Sequence, residues 1–479
     1  MGAGAPARPG RIGRAAPLLA ALCAFLVLAV ALSRFGLWGD VGWDIADGRF
    51  ILAHGYVPLT NVLSTALRGG FWANSEWLFG VYAAALYGAL GGLGVYLGLL
   101  PWLALLALGL AWRARPLGAY WQLLWPFAAA VAMVPVIEPR PQVLSYVLFL
   151  AALWAVDRAR RGGGAVLWLA AASGLLWTQV HDSALLLPLV LGLALLLPTP
   201  ELGRRRVVGP FLLSLVLLLV RPGGPVAFAR RILAVGSGGN TGTIQEWASP
   251  DFHQAGAWLL LAILFLALVL LAPELKRLRR WADLVLLLGT AAATLYAVRF
   301  LPYFVLTAAF FGPAVLPERL RIAARDRGAQ LRSLGLSALL AAGLAAALIA
   351  QPVFPSRSPA KAIAYLRRAH AENVFAAYQI GASLELYGVT PYLDSRDDVW
   401  ARAPWWPGFL AVSEGSVDVL SYLRRYDPTA RYVLWPTRSA VAVELDQSRL
   451  WRRVLVDPYP SDPYRSVDGA YAVWRRVAP

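Results

Sequence analysis

Hydropathy and charge predict a polytopic α-helical membrane protein of about 11 spans, followed by a small α/β domain. Three observations predict it. Of the 479 residues, 59% are hydrophobic and 15% charged, and the mean hydropathy is positive, well above ordinary soluble domains. Apolar runs of roughly 16–20 residues recur between short arginine clusters, the pattern of spans joined by basic loops. From Pro355 to Pro479 no run can cross a bilayer, and charge mixes with alternating apolar segments. The chain therefore divides into a membrane domain at 1–352, with an interfacial outer loop at 38–75, and an extracytoplasmic domain at 353–479.

The formal charge of +17 needs no nucleic acid. Arginine sits mainly in short loops and in the C-terminal segment, and no basic face is interleaved with stacking aromatics. The single cysteine, Cys23, excludes an internal disulfide, and four histidines with none at H-x₃-H spacing argue against a zinc site.

Arg8, Arg11 and Arg14 precede the apolar run Ala16–Leu32. Ala31-Leu32-Ser33 weakly resembles a cleavage site, but an acidic motif and many further spans follow, so an uncleaved first span is expected. Basic turns at Arg8–Arg14, Arg113–Arg115, Asp157–Arg161, Arg204–Arg206, Lys276–Arg280 and Glu318–Arg332 are assigned to the cytoplasmic face. Trp38–Ser75, Glu138–Gln142, His181–Ser183, Pro222–Gln254 and Arg299–Tyr303 fall opposite. A last span at Ser333–Gln351 leaves the tail outside and the N-terminus inside. Glu76–Trp112 breaks the alternation; a re-entrant or interfacial first half, split at Gly88–Gly94, restores it.

Within the outer loop, Asp44–His54 reads as a short interfacial helix ending at Gly55, and Pro58 begins an extended stretch. In the tail, strands are expected at Asn373–Tyr378, Pro391–Asp394, Arg431–Trp435, Val454–Asp457 and Tyr471–Trp474. Helices are expected at Ala360–Ala369, Ala382–Tyr387 and Val417–Tyr426.

Asp40, Asp44 and Asp47 put three carboxylates into eight residues directly after the first span. Around them lie Trp43, Gly48 and Ile51, then Pro58 and Ser64, then Trp72, Glu76, Trp77 and Leu78. Further along come Arg140-Pro141-Gln142, Trp177-Thr178-Gln179-Val180-His181, Glu246-Trp247 with Pro250, and Arg299-Phe300-Leu301-Pro302. The tail adds Tyr378-Gln379-Ile380-Gly381 and Tyr392-Leu393-Asp394-Ser395-Arg396. In order and spacing this set resembles bacterial membrane glycosyltransferases of the GT-C type, a group related to the dolichyl-phosphate-mannose protein mannosyltransferases. Asp44 stands where that group usually has histidine, and Asn61 where it usually has aspartate.

The resemblance implies an enzyme of the bacterial cytoplasmic (inner) membrane, acting in cell-envelope glycan or glycolipid assembly. It would move a sugar, with inversion, from a polyprenyl-phosphate donor to a hydroxyl acceptor on a glycan, lipid or protein. Membrane lipids are its other partners. Such chemistry needs a carboxylate to deprotonate the acceptor and cations to offset the departing phosphate. By position in the first outer loop, Asp40 is the first choice for the base, with a helix N-cap as its structural alternative. Asp44 and Asp47, three apart on one helix face, are candidates to hold a metal or an acceptor hydroxyl, or else form a solvated polar face.

Arg140 and Arg299 are the candidate donor-phosphate ligands; pairing with Glu138 or snorkelling is the alternative for Arg140. His181 is a candidate acceptor or pyrophosphate contact or a polar helix end, and its neighbours Asp182 and Ser183 are not expected to form a triad with it. Glu76 complements the dipole of the helix it starts or serves the site. Glu246 follows a Gly-rich loop, Gly236–Gly242, which could close over the site but lacks the Lys-Ser/Thr end of a phosphate loop. Asp394 and Arg396, with Asp397 and Asp398 beside them, pair with each other or face the acceptor path, and Trp405-Trp406 reads as an interfacial anchor, with a sugar-stacking platform as the alternative. No cofactor is certain, and a divalent cation, Mg or Mn, is left open. Two non-enzymatic alternatives remain, a lipid-linked glycan carrier or flippase and a glycan-binding scaffold.

Overall fold

The computed structural model describes residues 11–37, 39–236, 245–316, 358–400, 402–458 and 470–477, together with Gly335 and Gly343. Arg8, the basic turn at Glu318–Arg332, the expected last span at Ser333–Gln351 apart from Gly335 and Gly343, and all but the first residue of the Gly-rich loop lie outside the described residues. The chain folds into two compact units, the first formed by Met1–Arg34, Tyr96–Leu218 and Ile244–Val353, the second by Phe35–Val95, Leu219–Thr243 and Phe354–Pro479.

Among the described residues, five helices are long and apolar enough to cross a membrane: Ala16–Ser33, Gly92–Ala114, Gln142–Arg160, Gly256–Arg277 and Val298–Val315. Five further apolar helices are shorter, at Trp77–Leu90, Trp121–Val136, Ala165–Val180, Asp182–Leu196 and Trp281–Tyr296. The segment that broke the alternation forms two helices, α3 (Trp77–Leu90) and α4 (Gly92–Ala114), separated by Gly91 at φ 60°.

The first unit is a helical bundle. It contains α1 (Arg11–Ser33), α5 (Ala119–Met133), α6 (Gln142–Arg160), α7 (Ala165–Val180), α8 (Leu186–Leu196) and α9 (Arg204–Leu218). The next helix, α10 (Gly224–Gly236), belongs to the second unit, and the bundle resumes with α11 (Ala255–Arg277), α12 (Trp281–Tyr296) and α13 (Leu301–Val315). Every residue of α13 from Leu301 to Pro313 is buried, as befits a helix that is apolar all round. It packs on α5, α6, α11 and α12. At one end of the bundle the basic turns are tied by ion pairs: Arg113 to Asp157 at 3.0 Å, Arg160 to Asp283 at 2.8 Å and Arg280 to Asp283 at 2.6 Å.

In the second unit, α2 (Asp40–His54) packs against α3 and against a tail helix, Tyr378–Leu386. The backbones meet so closely that only glycine fits. A Cβ on Gly48 would lie 2.0 Å from the Gly80 carbonyl oxygen, and one on Gly42 would lie 2.3 Å from that of Ala382. The expected interfacial helix thus starts four residues early, and its inner face is covered by protein.

The tail carries a four-stranded sheet in the order β1-β2-β4-β3, with β1 (Val374–Ala376), β2 (Tyr432–Pro436), β3 (Trp451–Asp457) and β4 (Tyr471–Arg476). β1 and β2 are parallel and the other pairs antiparallel. Pro391–Asp394 is not a strand. Pro391 has no N–H to continue a ladder and makes one bridge to Val374; the carbonyls of Pro391 and Tyr392 instead accept from Thr65 and Ala66 of the outer loop. Trp405-Trp406 is not an exposed anchor either. Trp406 is buried and stacks on Phe409 at 5.6 Å, and Trp405 packs on Tyr392 and Trp400. A small domain needs such aromatics for its core.

Candidate functional site

Two constellations gather the sequence-predicted residues, one in each unit. In the second unit, Asp40 opens α2 after Gly39, which has φ 66°. Asp40 is therefore the first helical residue and not the N-cap. Its Oδ1 accepts from the Ser395 hydroxyl at 2.6 Å.

One turn on, Asp44 and Asp47 are buried, with 0% and 1% exposure. The solvated polar face is thereby overturned: α3 and Tyr378–Leu386 cover it. Both Asp47 oxygens accept from Asn74 Nδ2, at 3.1 and 3.0 Å. Burial pushes the Asp47 carboxyl up to about 7, against the Asn74 hydrogen bonds and the Arg396 charge.

Arg396 is wholly interior. Its Nε and Nη2 donate to Asp394 Oδ1 and Oδ2 at 2.9 and 2.5 Å, and Nη2 also donates to Asn61 Oδ1 at 2.8 Å. The guanidinium lies 4.4 Å from the Trp72 ring centroid. Glu385 Oε1 is 3.9 Å away. Burial, then the Asp394 charge, raise the Glu385 carboxyl well above its ordinary range, whereas for Asp394 burial is outweighed by Arg396, which holds it low. Asp398 pairs with Arg231 of α10 at 2.8 Å. Glu76 is the N-cap residue of α3 and makes no side-chain capping bond.

In the first unit, three helix junctions bring together charge. Arg140, between α5 and α6, pairs through Nε with Glu138 at 2.8 Å and through Nη1 with Glu246 Oε2 at 3.3 Å. Arg299, in the short turn Val298–Phe300 before α13, reaches Glu246 Oε1 at 3.5 Å and lies 4.0 Å from the Trp247 ring centroid. Glu246 sits in the turn Gln245–Trp247. Burial would raise its carboxyl, but Arg140, Arg299 and His181 together bring it below the ordinary value.

His181 ends α7 in extended backbone, φ −166°, ψ 146°. That turn out of the helix lets its Nδ1 meet Ser183 Oγ at 2.7 Å, a contact that helical spacing did not predict. Trp177 Nε1 donates to the same hydroxyl at 3.1 Å.

Sequence reasoning missed Ser395, Glu385 and Asn74. Ser395 lay inside the quoted tail motif, but nothing local pointed it at Asp40. Among the described residues, no group of three or more His, Cys, Asp or Glu side chains could hold a metal ion. Chemically, the first unit offers two guanidinium groups on one anion, and the second a carboxylate oriented by a hydroxyl.

No protein-family model matches the chain, and no curated protein matches it by sequence. Solved structures do. The oligosaccharyltransferase AglB from Archaeoglobus fulgidus, in complex with an inhibitory peptide and a dolichol-phosphate, superimposes with a TM-score of 0.60 at 13% identity, covering 88% of this chain and 69% of that one. The same organism's oligosaccharyltransferase in complex with Zn and sulfate gives 0.53 at 12% identity, covering 88% and 68%. The arabinofuranosyltransferase AftD from mycobacteria gives 0.54 at 16% identity, covering 99% of this chain but 42% of that one, so the chain spans less than half of AftD. These neighbours are GT-C proteins, and the chain has the GT-C fold.

Proposed function

We propose that the chain is an integral-membrane glycosyltransferase that moves a sugar from a polyprenyl-phosphate donor to a hydroxyl acceptor on the extracytoplasmic side. The observation that carries the reading is that, within a GT-C fold, Arg140 and Arg299 come from different helix junctions and meet on one anion. Guanidinium pairs suit phosphate, whose charge grows as the sugar leaves.

In this reading the Asp40 carboxylate takes the acceptor hydroxyl proton. The acceptor oxygen attacks the anomeric carbon, the bond from that carbon to the phosphate oxygen breaks, and the anomeric configuration inverts. Polyprenyl phosphate departs with one more negative charge, which the guanidinium groups offset. Ser395 holds one Asp40 oxygen and so fixes the carboxylate's orientation. Asp44 and Asp47, with no exposed surface for an acceptor, support α2 from within, and Asp394 and Arg396 brace the outer loop through Asn61.

The full chain in liposomes, supplied with a panel of labelled polyprenyl-phosphate sugars, tests this. Release of polyprenyl phosphate from one of them by wild type, and its loss in Arg140→Gln and Arg299→Gln, is expected. Release that is indifferent to both arginines would remove the reading.

A further inference from the structure

Among the described residues, two guanidinium groups and two carboxylates meet at the Arg140–Arg299 cluster, with His181 nearby, and they are not equivalent. Glu138 holds Arg140 at 2.8 Å, the length of a strong charge-assisted bond. Glu246 bridges both guanidinium groups at 3.3 and 3.5 Å, longer than such bonds usually run. It is also the most open of the four, its side chain 38% exposed against 29% for Glu138, 23% for Arg140 and 21% for Arg299.

The turn that carries Glu246 is anchored without it. The Ala248 carbonyl accepts from Val298 N at 3.2 Å, the Ser249 hydroxyl donates to the Tyr296 carbonyl at 3.1 Å, and Trp247 packs edge-on against Phe300. A side-chain rotation of Glu246 therefore leaves the turn in place. The two arginines and two glutamates balance one another, and exchanging the Glu246 carboxylate for a phosphodiester monoanion leaves the local charge unchanged.

We infer that Glu246 is a stand-in anion: its carboxylate occupies the phosphate seat of the ligand-free protein, yields it to a phosphate group, and competes to take it back. The inference rests on the donor-phosphate reading of Arg140 and Arg299. Its consequence is product release. Cleavage turns the seated monoanion into a dianion, the cluster then carries one excess negative charge, and Glu246 can return to expel it.

The test measures binding of farnesyl phosphate and, separately, of inorganic phosphate to the full chain in detergent micelles, followed by Trp247 fluorescence or calorimetry. Glu246→Gln keeps the shape and removes the competing charge; it is expected to bind farnesyl phosphate about tenfold tighter than wild type, equivalent to about 1.4 kcal/mol. Glu246→Ala should do the same, and Glu138→Gln should gain less. A parallel gain for inorganic phosphate would make the phosphate alone the ligand, and a gain confined to farnesyl phosphate would make the lipid part of it; both support the inference. Binding that depends on Arg140 and Arg299 but is unchanged or weaker in Glu246→Gln overturns the stand-in role and spares the donor reading. Equal gains from Glu138→Gln and Glu246→Gln overturn it too, because general charge removal would then suffice. Absence of binding in every variant removes the donor reading and this inference together.

Discussion

Replacing Asp47 with asparagine should change how stability depends on pH, and the structure sets the size of the effect. Asp47 is 1% exposed and its carboxyl is pushed up to about 7, whereas an unfolded aspartate titrates near about 3.9. Between those values the folded protein holds a proton that the unfolded chain releases. Stability is therefore fully present below the unfolded value and falls as pH rises to about 7, then levels off. At about 1.36 kcal/mol per pH unit, the loss amounts to about 4 kcal/mol. An asparagine side chain cannot ionise and still accepts from Asn74, so the variant escapes this loss. Thermal melts of wild type and Asp47→Asn between pH 4.5 and 8.5 should show a gap in the variant's favour that widens up to pH 7 and stays constant above it. A gap that does not vary with pH would refute the burial argument.

Other consequences follow from the same unit. Arg396→Met strands the Asp394 carboxylate in the interior and should cost about 3–5 kcal/mol, read as a lower melting temperature that the double variant Asp394→Leu/Arg396→Met partly restores. Gly48→Ala places a Cβ within 2.0 Å of the Gly80 carbonyl and should loosen α2 from α3, seen as faster amide exchange in both helices. Ser395→Ala removes one hydrogen bond to Asp40 without touching its charge; kcat should fall about tenfold to a hundredfold with KM little changed, and Ser395→Thr should recover most of it.

The apolar runs and basic turns were legible because each is a local property of composition. α2 could be read from the spacing of Ile45 and Ile51, and β2, β3 and β4 from alternation. What covers an element was not legible. The three-residue spacing of Asp44 and Asp47 puts them on one face, but the helix that buries them begins at Tyr378; Arg49, on the same α2, donates to the Leu386 carbonyl 337 positions away. Arg140 and Glu246 likewise meet across 106 positions. The helix Trp406–Ser413 escaped because Trp-Trp-Pro suggests an anchor, although Pro407 in its first turn was an available signal. The helix Ala440–Gln447 escaped too, despite its Ser439 cap, whose hydroxyl accepts from Ala442 N at 3.2 Å. His181 and Ser183 were separated on paper by assuming a helix that in fact ends at Val180.

The proposal that Asp40 removes the acceptor proton is tested most directly by the turnover of Asp40→Asn beside Asp40→Glu, in liposomes with a competent polyprenyl-phosphate sugar and with matched melting temperatures. Loss of a general base predicts a fall of about 10²–10⁴-fold in the asparagine variant, with part of the activity kept by the glutamate. Wild-type turnover by Asp40→Asn would contradict the account.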